Sequence, residues 1–282
     1  MKFSRPDADV FVPDGTAAER ALARTTHLGI GAHQDDLEIM AQAGIDECHA
    51  RADRFFTGVV VTDGSGSPRT GRYATLGDAE MRAVRRDEQR RAAVLGKYNL
   101  QIQLAHPSAD VKAAAAGVGA DLAAIFRGLR PEVVYLHNPA DKHDTHVAVL
   151  LRCLEALRTL PRADRPRRVL GCEVWRDLDW LADADRVALD AGRNPALAAA
   201  LLQAFDSQIG GGKRYDLAAL GRRAANATFH TAHAADRLAA VTWAMDLTPL
   251  VADENLSLRE FTLAHVERLK ADVAARLDRL SG

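Results

Sequence analysis

Two short stretches of this 282-residue chain gather the side chains that carry acid–base and metal chemistry. The first is Ala32-His33-Gln34-Asp35-Asp36-Leu37-Glu38, at the end of the apolar run HLGIGAH (27–33). A strand that ends in charged residues must release them into a loop or a helix start, where water or a ligand satisfies them. If a helical turn begins here, His33 and Asp36, three apart, project to one side while Asp35 points elsewhere nearby. Such a turn offers a metal one imidazole nitrogen and one carboxylate, and leaves a second carboxylate for base chemistry. The second stretch runs His137-Asn138-Pro139-Ala140-Asp141-Lys142-His143-Asp144-Thr145-His146, after EVVYL, and holds three of the chain's ten histidines. His143 and His146 are again three apart, at the expected N-terminus of a helix.

A lone histidine or aspartate at a strand end is ordinarily a cap, a turn former or a satisfied polar group. Two such stretches behave differently. Each follows a hydrophobic strand, and if both strands belong to one parallel sheet the stretches meet in the same crevice beyond the carboxyl ends. Nitrogen and oxygen donors without thiolate suit a catalytic zinc that keeps one coordination position open. Iron or manganese also accepts a face of two histidines and one carboxylate.

The elements that position these stretches alternate. Strands are expected at 27–33, 54–64 (RFFTGVVVTDG), 99–106 (NLQIQLAH), 131–140 (PEVVYLHNPA) and 169–177 (VLGCEVWRD). Helices are expected between them at 78–95, 108–130 and 146–160, with Gly117 and Gly119 weakening the middle of the second. Residues 1–25 read as an arm or short helix with Thr16 as its N-cap. The alternation predicts an α/β fold, a Rossmann-like, mostly parallel sheet flanked by helices. The whole chain, 1–282, is expected to be a single unit, with core sheet and helices over about 26–177. Residues 178–282 read as a mainly helical extension or cap.

Composition narrows the class. Thirty-seven basic and 38 acidic residues leave a formal charge of −1, so no global field attracts nucleic acid or an anionic membrane. The basic clusters Arg85-Arg86, Arg90-Arg91 and Arg162 to Arg168 are read as solvated faces. Cys48, Cys153 and Cys172 stand far apart, which argues against disulfides and against a thiolate metal site. No stretch approaches the ~20 apolar residues of a membrane span, and the polar, proline-interrupted start has no apolar leader run. The expectation is a soluble, cytoplasmic protein with no nucleic-acid or membrane partner, and homo-oligomers are left open.

The pairing of AHQDD-x-E with the later D-x-H-x-x-H resembles the PIG-L (LmbE-like) family of zinc-dependent N-deacetylases. The resemblance extends over about the first 150 residues and returns weakly at Ser207-Gln208. It implies a Rossmann-like sheet and hydrolysis of N-acetyl groups on glucosamine-containing small molecules. It also implies zinc held by His33, Asp36 and His146, with Asp35 as general base toward a zinc-activated water. His143, protonated, would steady the oxyanion and protonate the departing amine. Arg85, in Arg85-x-x-Glu88, matches a substrate-holding arginine of the family; the alternative is a surface helix arginine paired with Glu88. Glu38 is expected behind the ligands, accepting a hydrogen bond from His33 or from the helix start, and Asp141 invites the same role or an Asx turn.

Three departures stand out. Gln34 replaces the family's usual proline. Thr145 replaces the aspartate just before the last histidine, with Asp144 one place earlier, so a carboxylate that would orient His143 is missing or displaced. Leu104-Ala105-His106-Pro107-Ser108 resembles a loop that usually ends in aspartate, with His106 as a stand-in or a turn residue. The loop Thr62 to Ser67 is expected at the rim, and Trp175, Trp180 and Trp243 are expected to pack in the core, with stacking on a sugar ring as the alternative. The competing readings are a metal-dependent amidase acting on a non-sugar amide and a non-catalytic metal- or ligand-binding relative. A nucleotide-binding Rossmann enzyme is disfavoured, since no Gly-x-Gly-x-x-Gly follows the first strand.

Overall fold

The computed structural model describes residues 1–282. Eight strands form one sheet: β1 (Asp9–Phe11), β2 (His27–Gly31), β3 (Phe56–Thr62), β4 (Leu100–His106), β5 (Val133–His137), β6 (Arg168–Cys172), β7 (Val187–Asp190) and β8 (Val241–Asp246). The helices up to β6 are α1 (Ala18–Arg24), α2 (Asp36–Met40), α3 (Gln42–His49), α4 (Asp78–Leu95), α5 (Ser108–Lys112), α6 (Ala116–Leu129) and α7 (Asp144–Arg158). Then come α8 (Pro195–Gln203), α9 (Asp206–Ile209), α10 (Tyr215–Thr228), α11 (Thr248–Ala252) and α12 (Leu258–Ser281).

The strand order is β1-β4-β3-β2-β5-β6-β8-β7. β4, β3, β2, β5 and β6 run parallel, while β1 and β8 are antiparallel to their neighbours. The chain steps outward from β2 to β3 and β4, then returns to lay β5 on the other side of β2. That reversal opens a crevice beyond the carboxyl ends of β2 and β5, where open α/β sheets place their ligands. Both histidine stretches begin at these two strand ends.

Strands β2 and β3 are buried along their whole length because helices cover both faces. Leu28, Ile30, Val59, Val61, Val134 and Leu136 join one apolar cluster with residues of α6 and α7. Phe56, Val60 and Tyr135 join a second with Leu37 and Met40 of α2, Ile45 of α3 and Ala92 of α4. Glycine at 31 matters for the site. A Cβ there would lie 2.8 Å from the Asp36 Cβ, so only glycine lets the first turn of α2 close onto the strand end.

The parallel sheet, its helices and the span of α4 follow the sequence-based expectation. The helical turn considered at 33–36 is the start of α2, and the segment that follows adds α3, which was not foreseen. The expected helix over 108–130 breaks at Ala113 to Ala115, where Ala114 adopts φ +56°, and not at Gly117 or Gly119. The segment after 178 is less helical than expected: β7 and β8 extend the same sheet, with β8 hydrogen-bonded to β6. VTWAMD is too short and too buried on both faces to alternate, which is why it reads poorly as a strand. Thr16 does not cap α1, whose N-cap is Ala17 without a side-chain bond.

Candidate metal centre and its cavity

Three donors meet at the crevice. His33 Nδ1 lies 3.2 Å from His146 Nε2, and Asp36 closes the triangle with its two oxygens, Oδ2 at 3.4 Å from His33 Nδ1 and Oδ1 at 3.4 Å from His146 Nε2. Donor atoms held 2.0–2.1 Å from a common tetrahedral ion stand about 3.3 Å from one another, close to each of these contacts, and single donor atoms of His33, His143 and His146, and of Asp36, His137 and His146, lie within 4.8 Å of one another. The chemistry of the set agrees. Two facing imidazole nitrogens cannot both present lone pairs at 3.2 Å without a cation or proton between them. Burial pushes the Asp36 pKa up, but His146, His137 and His33 outweigh it and hold the carboxyl well below the usual range. Burial pushes His146 down to about 4, so its ring is neutral and has a lone pair to give.

Neighbouring groups orient the ligands. The backbone N–H of His33 donates to Asp36 Oδ2 at 2.7 Å, fixing that carboxylate across the turn. Asp141 stands 3.4 Å from His146 Nδ1 and accepts from the backbone N–H of His143 at 3.0 Å and of Trp175 at 3.1 Å. It therefore ties its own loop to the turn after β6 and stands behind the His146 ring. His137, fully buried, was not singled out in the sequence. Its Nε2 accepts from the Ala32 N–H at 2.9 Å, and its ring stacks on His146 at 3.9 Å between centroids. With that lone pair occupied, His137 props the β2 end and the His146 ring. Its place as the last residue of β5 was the available cue.

Asp35 sits beside the triangle with φ +85°, a left-handed conformation that a residue with a Cβ adopts at some cost. Oδ2 accepts from Arg85 Nη2 at 3.0 Å. Burial raises its pKa to about 6 against the pull of Arg85. Arg85 is itself only 1% exposed, which overturns its reading as part of a solvated face. It does pair with Glu88, at 3.0 Å, and also donates to Ser207 Oγ at 3.3 Å and to the Gln34 carbonyl. Glu88 in turn accepts from Ser207 N at 2.6 Å and Oγ at 2.7 Å, tying α9 to α4. Arg85 reaches the cavity wall, but most of its donors are engaged within this network.

Glu38 takes a different place from the one expected. It lies on the far side of α2 from Asp36 and touches neither His33 nor the helix start. It accepts from Tyr98 Oη at 2.7 Å and Gln89 Nε2 at 2.8 Å, and burial pushes it up to about 7. Two residues along a helix turn a side chain by roughly 200°, which carries Glu38 away from the metal side. Gln89 Oε1 then accepts from the Asp35 N–H at 3.4 Å, so Glu38 reaches the site through Gln89.

His143 caps α7, its Nδ1 accepting from the Thr145 N–H at 3.3 Å. That bond assigns the proton of the neutral ring to Nε2. Burial and the nearby His33 lower its pKa, which disfavours the imidazolium that was expected. No carboxylate orients it: Asp144 is exposed, and the ring is held by the cap and by stacking on His146 at 4.7 Å. His106 faces inward, with Nε2 3.0 Å from Asp121 Oδ2, which also accepts from Ser4 Oγ at 2.6 Å. The histidine is a structural tie and contributes nothing to the site.

These groups open into a cavity of about 470 Å³. Thr62, Gly64, Gly66 and Ser67 form part of its rim, as expected of that loop. Trp243 and Trp180 pack with the core, but Trp175 lines the cavity and is 40% exposed. The opposite wall comes from Gln208 of α9, where the resemblance returned, and from segments whose role the sequence did not reveal: Glu173 and Val174 after β6, Tyr215, Arg222 and Arg223 of α10, and Thr242 of β8.

Fold and donors define an α/β protein with a His/Asp/His triangle at the switch point of a parallel sheet. Residues 28–157, which include His33, Asp35, Asp36, His143 and His146, match the family model described as PIG-L, GlcNAc-PI de-N-acetylase. No curated protein matches the chain in sequence. Among solved structures, the N,N'-diacetylchitobiose deacetylase from Pyrococcus horikoshii is 19% identical, with a TM-score of 0.60 over 78% of this chain and 84% of that one. The 4-carboxy-2-hydroxymuconate hydratase from Pseudomonas putida is also 19% identical, with a TM-score of 0.59 over 83% of this chain and 100% of that one. A deacetylase of the A40926 pseudoaglycone is 17% identical, with a TM-score of 0.58 over 79% and 97%. At these identities the likeness is one of fold. No helix is long and apolar enough to cross a membrane.

Proposed function

We propose that the chain is a divalent-metal-dependent hydrolase that releases acetate, or another short acyl group, from an amide nitrogen on a small amino-sugar-like molecule. The observation that carries this reading is the placement of Asp35: a buried carboxylate beside the donor triangle, outside it, and open to the same cavity. His33, Asp36 and His146 would hold zinc or a similar ion. Bound there, the ion would lower the pKa of water to ~7 and polarise the amide carbonyl.

The chain's own groups supply the rest. Arg85 holds Oδ2 of Asp35 and leaves the other oxygen to accept a proton from the attacking water. The Nε2–H of His143 would donate to the oxygen that gains charge, an interaction typically worth ~3 kcal/mol. Asp35, once protonated, can return the proton to the departing nitrogen. A second reading, a non-sugar acylated amine as substrate, draws on one observation: the 104–108 loop turns His106 toward Asp121 and gives a sugar no carboxylate.

The test is acetate release from a panel of N-acetylated amino sugars and N-acetylated alkyl amines, for wild type and Asp35→Asn. The proposal expects release that falls by ~10²–10⁴-fold in the variant with metal content unchanged. Release from alkyl amines alone selects the second reading. No release from either set, with metal bound, rejects both.

A further inference from the structure

One end of the cavity carries polar atoms that the chemistry described above does not use. Arg223, 2% exposed, donates Nη2 to the carbonyls of Glu38 at 2.5 Å and Ile39 at 3.1 Å, but its Nε and Nη1 have no partner within the protein. Glu173, also 2% exposed, accepts through Oε1 from Asn226 Nδ2 at 2.5 Å and the Trp243 N–H at 3.0 Å, while Oε2 has none. The Thr242 hydroxyl, on a residue 1% exposed, is likewise unpartnered. All three residues line the cavity. They come from three elements that meet there: α10, the turn after β6, and β8. Glu173 bonds to the backbone next to Thr242, and its charge is felt by Arg223. The Ile39 carbonyl that Arg223 grips lies one helical turn beyond Asp36, so this end borders the metal centre.

Leaving such buried atoms unmatched is costly, which restricts what can fill the space. An alkyl chain satisfies none of them. A carboxylate would satisfy Arg223 but face Glu173, and an ammonium would satisfy Glu173 but face Arg222 and Arg223. Hydroxyl groups both donate and accept, so they match the cation, the carboxylate and the threonine together. At the mouth, Trp175 packs edge-on to Tyr215 at 6.1 Å and presents exposed aromatic surface, the usual partner for the apolar face of a hydroxylated ring.

We propose that Arg223, Glu173 and Thr242 form a specificity subsite for ring hydroxyls on the part of the substrate that carries the amide. The proposal rests on the deacylase reading for the substrate's orientation but not for binding itself, so the two can fail separately. The experiment compares three acetamides on six-membered rings: N-acetylglucosamine, N-cyclohexylacetamide and 2-acetamidocyclohexanecarboxylate. Affinity is read by calorimetry, and hydrolysis by acetate release, for the full-length protein, Thr242→Val and Glu173→Gln.

Wild type is expected to bind N-acetylglucosamine at least tenfold tighter than N-cyclohexylacetamide. Loss of one hydrogen bond should cut that ratio by about two- to tenfold in Thr242→Val, with Glu173→Gln moving it in the same direction. Thermal melts confirm that each variant is folded. A shifted binding ratio without hydrolysis of any probe keeps the subsite and rejects the deacylase. Hydrolysis with equal affinity for the ringed pair, an unchanged ratio in both variants, or binding of no probe overturns the subsite. Preference for the carboxylate probe gives Arg223 to an anion and also overturns it.

Discussion

Replacing Arg85 by methionine separates two roles that the residue can hold. In the structure its guanidinium is buried and joined to Asp35 and Glu88 at 3.0 Å each. Removing one partner of a buried ion pair typically costs 3–5 kcal/mol, because the other charge is left without compensation. Glu88 retains two bonds from Ser207, so the loss falls chiefly on Asp35 and the lower end, ~3 kcal/mol, applies. With an unfolding entropy of about 2.1 cal/mol/K per residue, 282 residues give about 0.6 kcal/mol/K, and the melting temperature should fall by about 5 °C. Urea unfolding of Arg85→Met, Glu88→Gln and the double variant reads the coupling directly. Residues that share one network should show an interaction energy of about 0.5–3 kcal/mol. A single variant within about 0.5 kcal/mol of wild type, with additive effects and a raised KM, would refute the network and return Arg85 to the substrate.

Two further perturbations test the packing around the site. Burial raises Glu173 from 4.5 to about 7, so between those values the native state holds a proton that the unfolded chain has lost, and stability declines as pH rises through that window. Glu173→Gln should remove this slope and stabilise the protein at pH 8 by roughly 3 kcal/mol, measured by urea unfolding at pH 5 and pH 8; a variant no more stable than wild type at pH 8 contradicts it. A Cβ at Gly44 would lie 2.6 Å from the Tyr135 ring, which is buried between α3 and β5. Gly44→Ala should therefore cost about 1–3 kcal/mol, seen as a lower denaturation midpoint, and an unchanged midpoint would mean that α3 can shift.

Much of the site was legible because its chemistry is local in the chain. His33, Asp35 and Asp36 share one turn, Asp141, His143 and His146 share another, and the alternation of strands and helices sets the two turns side by side. What stayed hidden depends on long-range packing. Glu38 has the right spacing to serve the ligands, but the two-residue step from Asp36 turns it toward Tyr98 and Gln89. Arg85 reads as one charge in a basic helix, and its burial arises from Asp35 and Ser207, 50 and 122 residues away. The wall formed by Glu173, Arg223 and Thr242 assembles from the turn after β6, α10 and β8, the last two in a region whose periodicity is mainly helical.

The most direct test is acetate release from N-acetylglucosamine by chelator-stripped protein as zinc is added back in steps. Activity should be absent from the stripped protein and rise to a plateau at about one equivalent per chain, as three protein donors with one open position require. Undiminished release from the stripped protein, or zinc that fails to bind while the fold is intact, would contradict it.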